Sequence, residues 1–258
     1  MNSLATQVGF VARRSLKRTL RQPALIVPTI TFPLLLLALN SAGLAGATKI
    51  RGFPTDSYLD FGLTVTFMQA GLFAATTAGT ELATDIETGF INRLQLTPLR
   101  RVSILAGELA GALAVAFLGA ASFITVGLIA DVSFQAGPAG LLVLLALAQL
   151  TAMGFAGLGA VMAARTGSAE AVQGLFPLLF VTFFLSSLNL PRPLIQTDWF
   201  RTVATWNPVS YMIEGMRSLI ISGWDGSALW KGFLAAGVIA GLSLFGASRA
   251  LRTRLART

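Results

Sequence analysis

The chain has 258 residues, of which 54% are hydrophobic and only 12% are charged. An ordinary soluble domain carries about 25% charged residues, so this composition excludes a typical soluble globule and favours a protein embedded in lipid. The chain has a net charge of +8 and contains neither Cys nor His, which excludes disulfides, thiolate or imidazole metal sites, and Cys- or His-based catalysis.

The amino-terminal segment, residues 1–23, has the pattern of an amphipathic helix. Its apolar residues project onto one half of a helical wheel: Leu4, Ala5, Val8, Val11, Ala12, Leu16 and Leu20. Its positive residues project onto the other half: Arg13, Arg14, Lys17, Arg18 and Arg21. We expect an interfacial helix whose basic face meets lipid headgroups. The alternative is a plain positive-inside signal that forms no helix of its own.

Six stretches are apolar enough, over about 20 residues, to cross a bilayer. They are residues 24–48, 57–82, 102–131, 140–164, 169–190 and 228–250. A cleaved signal peptide is the alternative for the first of them, but its apolar run is longer than the h-region of such peptides.

A seventh apolar stretch contains Glu214 and Arg217, and charges are costly to place in the middle of a bilayer. We therefore assign residues 191–227 to a re-entrant region on the outer side, since irregular backbone is tolerated at membrane depth where protein buries it. Because Glu214 and Arg217 are three residues apart, they are expected to pair on one helix face.

The positions of Lys and Arg predict the orientation of the chain. With six spans, thirteen of these nineteen residues fall on one side of the membrane and six on the other. The positive-inside rule places the richer side, and with it both termini, in the cytoplasm. The excess positive charge therefore reports topology, and we expect no nucleic-acid partner.

The cytoplasmic loop, residues 83–101, has the pattern of a short amphipathic helix. Ile86, Phe90 and Leu94 recur every four residues and so form one apolar ridge, which Pro98 would end. Such a ridge outside the lipid favours docking in a groove of a partner protein. The alternative is that the ridge packs on the ends of the chain's own spans.

Two groups of residues carry a resemblance to a known family. The first group lies in the loop: Asp85, Ile86, Glu87, Gly89, Phe90, Arg93, Leu94, Thr97 and Pro98. The second lies at and after the fifth span: Ser186, Ser187, Pro191, Asn207, Pro208, Tyr211 and Arg217. In order and spacing they resemble the coupling-helix loop and the carboxy-terminal signature of ATP-binding-cassette type 2 (ABC-2) permeases, the membrane subunits of bacterial exporters.

This resemblance implies an all-α, polytopic membrane protein with a single permease domain over residues 1–258. It implies a coupling helix between spans two and three and re-entrant outer helices between spans five and six. It also implies that ABC ATPase subunits bind ATP and Mg²⁺, and that a second permease copy or a paralogue completes the exporter. Consistently, the chain contains no G-x-x-x-x-G-K-[S/T] motif, so we expect no cofactor and no enzyme activity in it.

The expected function is therefore export of a lipophilic drug, antibiotic or lipid across the cell (inner or plasma) membrane. We expect Phe67, Gln69 and Phe73, on the second span, to line the substrate path, because they combine apolar surface with one amide. The alternative is a stand-alone secondary carrier or channel, which needs no coupling loop. No pair of membrane carboxylates indicates a proton relay, and Glu108 is expected to reach lipid headgroups or the nearby arginines.

The glycine spacing suggests close helix packing in two places. Gly107 and Gly111, and likewise Gly237 and Gly241, form small-xxx-small patterns. Such patterns permit close approach of two helices, either within one subunit or between two copies.

Overall fold

The structure is a computed structural model that describes residues 4–95 and 101–255, except for the side chains of residues 4, 5, 92, 95, 101, 102 and 255. Within these ranges the chain is built of α-helices and short 3-10 turns, and no residue there belongs to a strand. The prediction of an all-α protein is therefore confirmed. Thr97 and Pro98 lie outside the described residues.

The α-helices are α1 (Leu4–Leu20), α2 (Pro23–Gly43), α3 (Tyr58–Glu87), α4 (Phe90–Gln95), α5 (Arg101–Ile129), α6 (Gly137–Thr166), α7 (Ala169–Gln173), α8 (Leu175–Phe184), α9 (Asp198–Trp206), α10 (Pro208–Ile221) and α11 (Gly226–Leu255). Two 3-10 turns, Ala45–Lys49 and Arg192–Leu194, lie in the connections after α2 and before α9.

Five of the described helices, α2, α3, α5, α6 and α11, are long and apolar enough to cross a membrane. They correspond to the predicted spans at 24–48, 57–82, 102–131, 140–164 and 228–250. The boundaries differ by up to five residues, and at α3 the helix continues to Glu87 and so takes in the start of the predicted loop.

The predicted span at 169–190 is divided in the structure. It begins as α7, breaks at Gly174, continues as α8 and ends at Phe184, so its apolar helical part, Ala169–Phe184, is shorter than the other five. A bilayer crossing takes about 20 helical residues. The count of six spans therefore stays a prediction.

The divided segment nevertheless connects the two ends of α3. At its start, the backbone N–H of Ala169 donates to a carboxylate oxygen of Glu87 at 3.1 Å. At its far side, the carbonyl of Leu188 accepts a hydrogen bond from Arg217, whose guanidinium carbon lies 3.6 Å from the centre of the Phe61 ring. Phe61 is in the first turn of α3 and Glu87 is its last residue, so residues 169–188 run alongside the full length of this helix.

Both termini of the described chain lie at the same end of the bundle. α1 contacts the end of α3 through Arg14 and Asp85. The end of α11 contacts the end of α6, where Arg254 donates to the carbonyl of Ala164. We call this the α1 end, and we call the end near α10 the α10 end.

α3 is the central helix, and it packs most closely on α6. An added Cβ at Gly159 of α6 would collide with the backbone carbonyl of Ala75 of α3, and one at Gly79 of α3 would collide with the backbone of Gly159. The two backbones therefore touch directly, which only residues without a side chain permit.

We expect Gly159→Ala to reduce stability by about 1–3 kcal/mol, because the added methyl group must push α3 and α6 apart. Gly237→Ala in α11 is the matched control, since its methyl group would meet no atom within 4 Å and alanine favours a helix over glycine. Thermal unfolding of the purified chain in detergent measures both. Equal midpoints for the two variants would contradict the close contact.

Candidate functional site

Three acidic side chains meet at the α1 end of the bundle. Glu81 and Asp85 are four residues apart on α3, and Glu108 comes from α5. All are buried, with exposed fractions of 3%, 3% and 2%. We call Glu81, Asp85 and Glu108 the carboxylate cluster. Buried carboxylates are rare unless they are paired, so their partners define the site.

Arg14 and Arg18 of α1 supply the opposite charge. Asp85 accepts hydrogen bonds from both, at 2.9 Å from Nη1 of Arg14 and 2.8 Å from Nη1 of Arg18. Nη1 of Arg14 also lies 3.2 Å from a carboxylate oxygen of Glu108. Two arginines of α1 are thus held by carboxylates on two different helices.

The charge state of Arg14 follows from this setting. Partial burial acts to lower the pKa of Arg14, but the hydrogen bond and charge of Asp85, with the charges of Glu108 and Glu81, raise the pKa above its ordinary value. Arg14 therefore stays cationic, and its guanidinium also lies over the ring of Phe90, 3.7 Å from its centre.

The third carboxylate, Glu81, is bound by hydroxyl groups of α1. Thr19 donates to Glu81 at 2.7 Å, and the hydroxyl of Ser15 lies 3.5 Å from the other carboxylate oxygen of Glu81. Ser15 also donates to the backbone carbonyl of Glu108 at 3.1 Å. α1 comes close because Gly107 and Gly111 of α5 face Val11, Ser15 and Thr19 without side chains of their own. This small-xxx-small pattern therefore packs within the subunit.

The buried face of α1 differs from the predicted apolar half. Val11, Ser15 and Thr19 are buried, while Phe10 and Leu20 are exposed. Two of the five positive residues, Arg14 and Arg18, turn into the protein, where they pair with the buried carboxylates of Asp85 and Glu108. The others, Arg13, Lys17 and Arg21, stay exposed.

The predicted coupling loop forms a sharp elbow rather than one helix. α3 ends at Glu87, Gly89 adopts a left-handed φ of +70°, and α4 begins at Phe90. Glycine adopts this conformation without strain, and it commonly ends a helix. Residues 86–95 thus form two helices that meet at Gly89, and we call them the elbow.

The apolar ridge is partly covered by the chain itself. Ile86, Phe90 and Leu94 are half-buried and pack against a cluster that includes Leu82 and Ile104. The structure therefore agrees with packing on the chain's own helices for the inner side of this ridge.

The exposed side of the elbow is polar. Glu87, Thr88 and Arg93 are exposed, and Arg93 donates to the carbonyl of Thr88 at 3.3 Å. A role of these residues in contacting a partner stays a prediction.

The second predicted group lies at the α10 end, where α8 stops inside the bundle. Asn207 caps α10 by accepting from the backbone N–H of Val209 at 2.9 Å. The same side chain donates to the carbonyls of Thr182 and Leu185 at 2.7 and 3.0 Å. Asn207 therefore forms hydrogen bonds with backbone groups at the end of α8 and at the start of α10. Pro208 follows it as the first residue of α10.

Arg217 likewise binds backbone carbonyls, in the residues that follow α8. It is only 6% exposed and donates to the carbonyls of Ser187 and Leu188 at 3.0 and 2.9 Å. The predicted pair of Glu214 with Arg217 is wrong, because Glu214 binds the guanidinium of Arg192 instead. Arg217 faces inward, where non-helical carbonyls need protein groups as hydrogen-bond partners.

The remaining members of this group pack around the same junction. Ser186 and Ser187 are buried, and the backbone N–H of Ser187 donates to the hydroxyl of Ser210 at 3.0 Å. Tyr211 donates to the carbonyl of Thr205 at 2.8 Å. Pro191 precedes the 3-10 turn that carries Arg192. The structure therefore brings this predicted group together around the end of α8.

The three residues predicted to line a path have different surroundings. Phe67 is 1% exposed and packs edge-to-face with Phe123 in the core, and Gln69 is also buried. Phe73 lines a cavity of about 590 Å³ between α2, α3 and α8. A substrate path along α3 stays a prediction, and Phe73 is its accessible member.

This cavity is apolar on one side and polar on the other. Leu25, Phe176 and Pro177 contribute apolar surface to it. At the α1 end it reaches Arg18 and Glu81, which belong to the ion-paired region. Its size lies within the range of small-molecule sites, about 300–1,000 Å³.

The carboxylate cluster is the feature that the sequence did not reveal. The expectation that Glu108 reaches lipid headgroups is wrong, because Glu108 is 2% exposed and pairs with Arg14. Its other expected partners, Arg100 and the side chain of Arg101, lie outside the described residues. A signal for the cluster was present, because Glu81 and Asp85 are four residues apart and share one face of α3. Glu108, however, is more than twenty residues away and joins them only through the packing of α5.

Comparisons with known proteins place the chain among transporters. The model of the ABC-2 type transporter family matches residues 6–221. A protein of Pyropia yezoensis described as the transport permease ycf38 is 28% identical over 233 residues, which cover 86% of this chain and 76% of that protein.

We expect Asp85→Asn to lower the free energy of unfolding by about 1.5–3 kcal/mol, because it removes the charge that two arginines share. Asp198→Asn is the matched control, since Asp198 is an exposed partner of Arg201 and surface pairs contribute about 0–1 kcal/mol. Thermal unfolding in detergent, followed by tryptophan fluorescence, measures both. In a double-mutant cycle with Arg14→Gln, additive effects would contradict a direct Arg14–Asp85 interaction.

Proposed function

Because the chain belongs to the ABC-2 type transporter family, we propose that it is the membrane-spanning subunit of an ATP-driven exporter. It moves a lipophilic drug, antibiotic or lipid out of the cell. A separate ABC ATPase subunit binds ATP and Mg²⁺ and hydrolyses the nucleotide, and a second permease copy or a paralogue completes the assembly. These 258 residues contain no phosphate-binding glycine loop, which supports the assignment of ATP binding to a separate subunit.

In this proposal the chain crosses the cell (inner or plasma) membrane six times, with both termini in the cytoplasm. The connection of α7 and α8 between the two ends of α3 supports a sixth crossing. The contact of Arg254 with Ala164 supports a shared side for the termini, because it joins the end of α11 to the end of α6. The positive-inside rule makes the α1 end the cytoplasmic one.

The observation that carries the proposal is the double ion pair of Asp85 with Arg14 and Arg18. Asp85 lies two residues before the end of α3, directly at the elbow. Its partners lie on α1, and Arg14 reaches α5 through Glu108. A force applied to the elbow by an ATPase is therefore passed to three helices together.

The surface that meets the ATPase is the exposed side of the elbow, formed by Glu87, Thr88 and Arg93. The half-buried ridge of Ile86, Phe90 and Leu94 supports it from within. Closure of the ATPase then moves the spans as rigid bodies, in the manner of domain rotations at an interface.

At the α10 end, Asn207 and Arg217 hold α8, α9 and α10 as one outer unit. This arrangement supports a re-entrant outer region over residues 191–227, because non-helical backbone at membrane depth must be satisfied by protein groups. We assign this unit to the outer mouth of the exporter.

The cavity beside Phe73 supports a lipophilic substrate with a polar group. Its apolar side suits a compound that partitions into lipid, and its polar side near Arg18 and Glu81 suits a hydrogen-bonding head. Such a compound would enter from the membrane.

We expect Arg93→Glu to abolish retention of a co-purifying ABC ATPase and to lower ATP-driven efflux by about tenfold or more, because it reverses a charge at the contact surface. The matched control is Lys17→Glu, the same charge reversal at an exposed position of α1. Pull-down from membranes measures retention, and efflux of ethidium from proteoliposomes measures transport.

Retention and transport that fall equally in both variants would contradict a specific role of the elbow. Efflux from proteoliposomes that contain the purified chain without any ATPase would contradict the exporter proposal itself. It would favour a stand-alone secondary carrier.

A further inference from the structure

A second cavity lies at the α1 end, between the last turns of α6 and α11. It encloses about 470 Å³ and is lined by three arginines, Arg165, Arg249 and Arg254. Arg165 comes from α6 and the other two from α11, so residues far apart in sequence converge on one space. The cavity has no carboxylate among its described lining residues.

The three arginines are not equivalent. Arg254 is fixed, because it donates to the carbonyl of Ala164 at 3.4 Å and covers Gly167, the residue that ends α6. Cations are favourable at this place, where a helix presents its last carbonyl groups. Arg165 and Arg249 are exposed, and in the described part of the chain no carboxylate lies within ion-pair distance of either.

The guanidinium groups of Arg165 and Arg249 have no ion-pair partner among the described residues and line the same cavity as that of Arg254. Like charges repel, so an anion bound between the three arginines would be stabilising. Guanidinium groups bind phosphate oxygens through paired, charge-assisted hydrogen bonds. The chemistry of this cavity therefore suits an anionic group such as phosphate.

Along α11, the surface next to the cavity is apolar toward the middle of the helix. Phe245 and Leu242 of α11 are 67% and 68% exposed, and they lie about one and two turns before Arg249. Phe245 and Arg249 also border a smaller space of about 280 Å³. A ligand bound through phosphate at Arg249 would thus lie directly beside apolar side chains.

We propose that this cavity binds the phosphate group of an anionic phospholipid in the leaflet at the α1 end, with the acyl chains along Phe245 and Leu242. Basic pockets between helices on the cytoplasmic side are suited to acidic headgroups. A free phosphate ion would use the arginines but not the adjacent apolar surface. This site is separate from the elbow and from the cavity beside Phe73, so it goes beyond the proposed transport function.

The test titrates the purified full chain in detergent with phosphatidylglycerol, and in parallel with phosphatidylcholine of the same acyl chains. Native mass spectrometry measures the affinity of the first bound lipid. We expect Arg165→Gln combined with Arg249→Gln to weaken binding of phosphatidylglycerol by about tenfold or more, and to weaken binding of phosphatidylcholine much less, because its choline group offsets the phosphate charge. Arg51→Gln combined with Lys231→Gln is the control, because it removes two exposed positive charges outside this cavity.

A second variant separates folding from binding. Arg165→Lys combined with Arg249→Lys keeps both charges and loses only the forked geometry, so we expect intermediate affinity for phosphatidylglycerol. All variants are compared at the same elution volume in size-exclusion chromatography.

Four results would overturn the proposal. Equal affinity for the two lipids would show that the negative charge of the headgroup plays no part in binding. An equal loss in the control would show general charge attraction. Competition by inorganic phosphate at the same concentration as phosphatidylglycerol would assign the cavity to free phosphate. Unchanged lipid binding together with loss of a co-purifying ATPase would assign the arginines to a protein contact.

Discussion

The interaction on which the α1 end depends is the pairing of one buried carboxylate with two arginines. Asp85 is buried at the end of α3, where an unpaired charge would cost several kcal/mol. Arg14 and Arg18 remove that cost only if α1 lies against α3 and α5, so the charge fixes the position of the amino-terminal helix. Glu81 and Glu108 extend the same constraint through Thr19 and Arg14. The end of α3, from which the elbow begins, is therefore bound to both α1 and α5.

The α10 end is held in a related way, by hydrogen bonds to backbone carbonyls instead of by ion pairs. Where α8 stops, carbonyls in its last turn and in the residues after it would be unsatisfied in a bilayer. Asn207 and Arg217 bind four of these carbonyls, those of Thr182, Leu185, Ser187 and Leu188. α3 joins the two ends, since Asp85 lies near its last residue and Phe61, near its first, contacts Arg217. The elbow and the α10 end are therefore joined by a single, largely buried helix.

Much of this architecture could be predicted from local sequence. Composition and apolar length identify the five long helices, and the residues around Gly89 and Asn207 reveal the family. Local patterns could not show that Gly89 divides Ile86 from Phe90, because one glycine within an apolar period does not by itself end a helix. The pairing of Glu108 with Arg14 depends on contacts between residues far apart in sequence, and no periodicity encodes them. The same holds for Arg217, whose partners are backbone carbonyls rather than the nearby Glu214.

We propose that α1 and the elbow move as one body because Asp85 joins them. Spin labels at Arg13→Cys and Thr88→Cys, both exposed positions in a chain without native cysteine, report this distance by double electron–electron resonance. We predict one narrow distance distribution, unchanged when the ATPase-bound complex is trapped with nucleotide and broadened by Asp85→Asn. A distance that shifts on trapping while Asp85 is intact, or one that stays narrow in Asp85→Asn, would contradict the account.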